Sequence, residues 1–116
     1  MPDFIYKILR QTEWLAAQAT GQLDGAPVDI ADGFIHFSTA RQVRETAARH
    51  FSGEMDLILL AVAPDKLGAA LRWEPSRGGD LFPHLYGPLP LNRVAEVYKL
   101  PLGDDGVHMF AVETGI

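Results

Sequence analysis

Short blocks of apolar residues, alternating or continuous, punctuate the chain and predict its elements. In FIYKILR, Phe4, Tyr6 and Ile8 take one side of a two-residue period and Ile5 with Leu9 the other, so Phe4 to Arg10 is expected as a strand buried on much of both faces. Thr12 can cap a following helix with Glu13 in its first turn, and Gly21 stops it. GQLDGAPVDIADG is rich in Gly, Asp and Pro and reads as a surface loop and candidate lid. In GFIHFST, Phe34, His36 and Ser38 share one strand face and Ile35 with Phe37 the other.

Thr39 and Gln42 fit a capping box that opens a helix running to about Ser52. Ala40, Val43, Ala47 and Phe51 form its apolar face, with Arg41, Arg44, Glu45 and Arg49 outside. LILLAVA, Leu57 to Ala63, has the length and apolarity of a central strand, and PDKLG reads as one helical turn. Beyond residue 70 Pro and Gly break the chain into strand-like pieces. Leu71 to Glu74, Phe82 to Tyr86, Val94 to Leu100 and a last piece near His108 to Val112 are expected as strands. Two main helices in the N-terminal half followed by strands predict an α+β fold over a single domain, 1–116.

Composition narrows the chemistry. The 116 residues are 47% hydrophobic and 22% charged, ordinary for a globular chain able to bury its own core. The absence of cysteine removes disulfide and thiolate chemistry and fits a reducing compartment. A formal charge of -5 argues against general nucleic-acid binding. No leader or apolar run approaches the roughly 20 residues needed to span a bilayer, so a cytoplasmic protein without membrane association is expected.

Polar residues that a core would not choose mark the candidate site. His36 shares a strand face with Phe34 and Ser38, and His84 with Phe82 and Tyr86, a setting that suits acid, base or anion-binding work and equally a half-exposed strand histidine. In LRWEP, Arg72 and Glu74 share a face, either as working charges or as the surface of an edge strand ended by Pro75. SRGG offers Ser76, the Arg77 guanidinium and two glycines, the parts of an anion nest or of a plain hairpin loop. Tyr86 adds an aromatic wall beside His84. No G-x-S-x-G elbow surrounds Ser38, whose simpler role is helix capping, and no spacing gathers His36, His84 and Glu74 as metal ligands. His50 and His108 read as helix-end and loop residues.

IYKI with a following EW, then GFIHFSTARQV, LRWE and LFPHLYGPL, in that order, resemble the bacterial domain-of-unknown-function family 952 over nearly the whole chain. That resemblance implies an ADP-ribosyltransferase-like fold, a split, mostly antiparallel sheet around a cleft for a nicotinamide dinucleotide. GFIHFS is also similar to a strand of RNA 2′-phosphotransferases. The wider superfamily's pattern then puts Lys7 or Tyr6 at its first position, His36 or Ser38 at its second and Glu74 or Glu96 at its third. Together these readings give a cleft for a nucleotide-like or phosphate-bearing ligand, with NAD as the implied cofactor. His36, Glu74 and His84 would be catalytic, and Lys7, Ser38, Arg72, Arg77 and Tyr86 would bind ligand. The alternative is a non-enzymatic domain that uses the same aromatic face, with the proline-rich LFPHLYGPLPL as a ridge, to bind a protein or metabolite.

Overall fold

Strand β1 (Ile5–Leu9) is buried at every position, as its double-sided apolar pattern requires. The computed structural model describes residues 3–116. Helix α1 (Gln11–Thr20) follows, its first turn held by the Arg10 amide donating to Glu13 Oε1 at 2.9 Å. The expected loop between residues 21 and 33 contains a two-residue strand, β2 (Gln22–Leu23), and a short helix, α2 (Pro27–Asp32). Pro27 is preset for a first helical turn, and the Asp29 carboxylate accepts the Ala26 amide at 2.8 Å, a start signal hidden in a loop-like composition. Gly33, at φ 86°, ends α2 in the left-handed region where a side chain would be strained.

The predicted single strand of GFIHFST is divided. β3 (Ile35–His36) pairs with β7 (Leu81–Leu85), whereas β4 (Ser38–Thr39) pairs with β1. Phe37 is the crossing point, its amide still donating to the Pro83 carbonyl at 3.0 Å. Gln42 Oε1 accepts the Thr39 amide as the capping pattern implies, but helix α3 (Val43–His50) begins only after that turn. Ala40 therefore precedes α3 and is exposed, while Val43 and Ala47 are buried as expected.

β5 (Leu57–Val62) is central: the first sheet has the order β4-β1-β5-β9, with β9 at Val94–Leu100. A second sheet has the order β3-β7-β6, with β6 at Leu71–Pro75, and a third pairs β2 with β8 (Leu89–Pro90). Among the described residues every pairing is antiparallel, so the expected α+β class with mostly antiparallel sheets holds, with three α-helices rather than two. The last expected strand, His108 to Val112, is not one. Pro101 closes β9, and the returning chain makes an isolated bridge from His108 to Leu102 before a 3-10 turn at Val112–Thr114.

Two cores share β1 and β5. Ile5, Leu9, Ile58, Leu60 and Val62 pack against Ile35, Phe37, Leu85 and Leu89 from the other sheets and Ala17 from α1. Tyr6, Ile8, Leu59 and Ala61 point the other way, against Val43 and Ala47 of α3. Since Leu59 and Leu60 are both fully buried on opposite faces, Leu59→Ala and Leu60→Ala should each cost about 2 to 5 kcal/mol in urea unfolding. A sheet with one wet face would tolerate one of the two.

Candidate functional site

The divided strand opens the site. β4 pairs β1 only at Ile5 and Tyr6, so beyond Tyr6 that edge of β1 has no strand neighbour among the described residues. A cleft of about 570 Å³ lies there, reached by Lys7, His36, Ser38, His50, Arg77 and His84. Its volume falls in the usual range for small-molecule sites.

Lys7 shares a strand face with Ile5 and Leu9 and is therefore carried toward the apolar interior between the sheets, where an ammonium needs a partner. Asp29 supplies it: Lys7 Nζ lies 2.8 Å from Asp29 Oδ2, and both side chains are buried. The second oxygen, Oδ1, accepts the His36 amide at 3.1 Å and faces His36 Nδ1 at 2.6 Å. Four donors from three segments thus converge on one carboxylate that is 1% exposed. Burial works to raise the Asp29 pKa. The His36 and Lys7 contacts and the Ala26 amide outweigh it and hold the group down at about 2. Burial pushes the Lys7 ammonium below the usual lysine range, against the pull of Asp29. Gly25 makes room for this carboxylate, because a Cβ there would stand 2.7 Å from the Asp29 Cβ.

The other His36 nitrogen, Nε2, lies 2.9 Å from Asp32 Oδ2 at the C-terminal end of α2, a carboxylate whose side chain is 46% exposed. Two carboxylates on one imidazole are both satisfied only when both ring nitrogens donate. His84 has the opposite arrangement. Its Nδ1 is 2.8 Å from Glu74 Oε1, which also accepts the Tyr86 hydroxyl at 2.7 Å. Those two hydrogen bonds hold Glu74 below the usual carboxylate range, so it accepts from both, His84 carries its proton on Nδ1, and Nε2 is left without a protein partner among the described residues. Phe34 stacks on His84 at 4.1 Å and tilts on His36 at 4.6 Å, and the two imidazole centroids are 5.5 Å apart.

On the opposite wall, Ser38 Oγ and Thr46 Oγ1 lie 2.8 Å apart, and Arg77 Nη2 donates to Thr46 Oγ1 at 3.3 Å. Arg77 also faces Glu45 at 3.3 Å and lies over the Phe82 ring, so the SRGG turn aims a fixed guanidinium at the cleft. His50 completes this wall. Burial, then Arg77, Arg49 and His36, push its imidazole below the usual histidine range.

Of the residues singled out by sequence, Lys7, His36, Ser38, Arg77 and His84 line one cleft. Arg72, Glu74 and Tyr86 do not. Glu74 and Tyr86 reach it through His84, and Arg72 lies over the Tyr86 ring at 4.9 Å. Glu96 is exposed on the edge strand β9. Asp29, Asp32, Thr46 and His50 were not anticipated. Thr46 and His50 are four residues apart on α3 and so share a face, a signal the sequence does carry. His108 is buried, with Nε2 hydrogen-bonding the Glu54 carbonyl at 2.8 Å. Among the described residues no helix is long and apolar enough to cross a membrane.

A family model described as a protein of unknown function, DUF952, matches residues 8–97. The crystal structure of CC0527 from Caulobacter crescentus is similar at a TM-score of 0.92 and 49% identity, covering 97% of this chain and 99% of that one. The solution NMR structure of CC0527 gives a TM-score of 0.81 at 53% identity over 90% of each chain. A search of curated proteins finds no match.

The Asp29 cluster predicts an acid limit. A carboxylate whose pKa is about 2 when folded, against 3.8 ordinarily, contributes stability that is fully present above the ordinary value and is lost as pH falls through the folded one. Asp29→Asn should cost about 3 to 5 kcal/mol at pH 7 by leaving Lys7 buried without its carboxylate partner, and should flatten the fall in stability between about pH 4 and pH 2 in denaturant titrations. An unchanged acid slope would contradict the account.

Proposed function

Because the chain belongs to the DUF952 family of proteins of unknown function, it inherits no reaction, and we propose from its own side chains that the cleft binds a phosphate-bearing small molecule of nucleotide size. The observation that carries this reading is the Arg77 guanidinium, fixed by Glu45 and the Phe82 ring where it lines the cleft, in a chain whose formal charge is -5.

Two further features support it. Arg77 has the planar donor fork that suits phosphate oxygens, and Ser38 and Thr46 bring hydroxyls beside it. The Asp32 carboxylate resting on His36 Nε2 occupies the place an anionic ligand oxygen would take. Phe37, Phe51 and Phe82 supply apolar wall for a base or sugar. An adenosine diphosphate unit, as in NAD or ADP-ribose, is the ligand class that the ADP-ribosyltransferase-like fold implied by the sequence motifs would bring.

A second reading, a face for a protein partner, rests on Trp73 and Leu81, which are about half exposed on β6 and β7. Their place on an open sheet rather than in a concavity separates the two readings.

Thermal unfolding with ADP, ADP-ribose and NAD tests the cleft. Saturation at about 100 times Kd should stabilise the wild type by about 2.7 kcal/mol. Arg77→Ala should remove most of the shift, and Asp32→Asn should enlarge it by freeing His36. No shift with any of the three, or an unchanged shift in Arg77→Ala, would contradict the reading.

A further inference from the structure

His36 and His84 face one cleft with opposite hydrogen-bonding states. His36 sits between Asp29 and Asp32, an arrangement satisfied by a ring that donates from both nitrogens. His84 donates from Nδ1 to Glu74 and leaves Nε2 bare, the state of a proton acceptor. Their rings are 5.5 Å apart, with Arg77 lining the same cleft. We infer that these histidines are the general acid and general base of phosphodiester hydrolysis, an activity that rests on the phosphate-binding reading of this cleft and narrows its substrate to a diester.

The step balances without a further reagent. Water attacks phosphorus and a new phosphorus–oxygen bond forms as the bond to the leaving oxygen breaks. His84 Nε2 takes the water proton, and His36 Nε2 gives its proton to the leaving oxygen, so a diester and water become a monoester and an alcohol. The proton then returns from His84 to His36 through solvent. Arg77 neutralises a non-bridging oxygen. The half-exposed Asp32 side chain moves off His36 Nε2 when the leaving oxygen arrives there. Glu74 is a positioning residue: it fixes the His84 tautomer and does not touch substrate.

The test uses one nucleotide with two leaving groups, thymidine p-nitrophenyl phosphate and thymidylyl thymidine. p-Nitrophenolate departs without a proton, whereas an alkoxide needs one. The wild type should hydrolyse both. His84→Ala should lose about 100-fold or more in kcat/KM on both esters, whereas His36→Ala should lose about 100-fold or more on thymidylyl thymidine and less than about tenfold on the nitrophenyl ester. Circular dichroism monitors folding, and His36→Gln, which keeps a donor toward Asp29, should show the same split if the alanine variant does not fold. Equal losses for the His36 variants on both esters would overturn the assignment. A wild type stabilised by ADP that cleaves neither ester would overturn it and leave the binding reading standing; absence of both stabilisation and cleavage would remove both.

Discussion

The Asp29 carboxylate is the constraint on which the rest of the site depends. Alternation along β1 carries Lys7 toward the apolar interior, and an ammonium there is costly unless it is paired and hydrogen-bonded. Asp29 meets that need and uses its remaining acceptor sites on the Ala26 amide, the His36 amide and the His36 ring. One side chain therefore joins β1, the start of α2 and β3. Gly25 lets the backbone approach it, and Gly33 returns the chain to β3. No hydrophobic contact could set the His36 ring with comparable direction, because apolar packing is not directional.

The same region settles why a cleft exists. Within three residues the chain leaves β7, turns at Phe37 and joins β1, so the two sheets part where His36 and Ser38 emerge. His84, directly across from His36 on β7, is brought to the same opening by the register of that pairing. Glu74 faces His84 because β6 pairs with β7 beside it, with Phe82 opposite Glu74 and His84 opposite Arg72. The two histidines thus differ through their neighbours: carboxylates on both nitrogens of one, a carboxylate on a single nitrogen of the other. A wall from α3 and the turn after β6, built from Arg77 and His50, lines the same cleft.

Much of this was legible in the residues. The double-sided burial of β1, the central LILLAVA strand and the apolar face of α3 follow from period and composition, whereas the convergence of His36 with His84 comes from the β3–β7 register. The division of GFIHFST was not legible, because alternation reports which way a side chain points and not which strand lies beside it. Helix α2 was hidden for a related reason. Its Gly, Asp and Pro residues are turn formers locally, and the Pro27 start and Asp29 cap are reinforced by the buried bonds of Asp29 to Lys7 and His36 across elements. Arg72 and Tyr86 were expected in the cleft from strand parity, yet they lie outside its lining, Arg72 over the exposed Tyr86 ring.

The central claim is that the cleft takes a phosphate-bearing ligand on the Arg77, His36 and His84 walls. A titration of isotope-labelled protein with ADP, followed by backbone and imidazole NMR shifts, tests it most directly. The account predicts saturable shifts confined to Ser38, Thr46, His50, Arg77 and the rings of His36 and His84. Shifts scattered over the surface, or centred on Trp73 and Leu81, would contradict it.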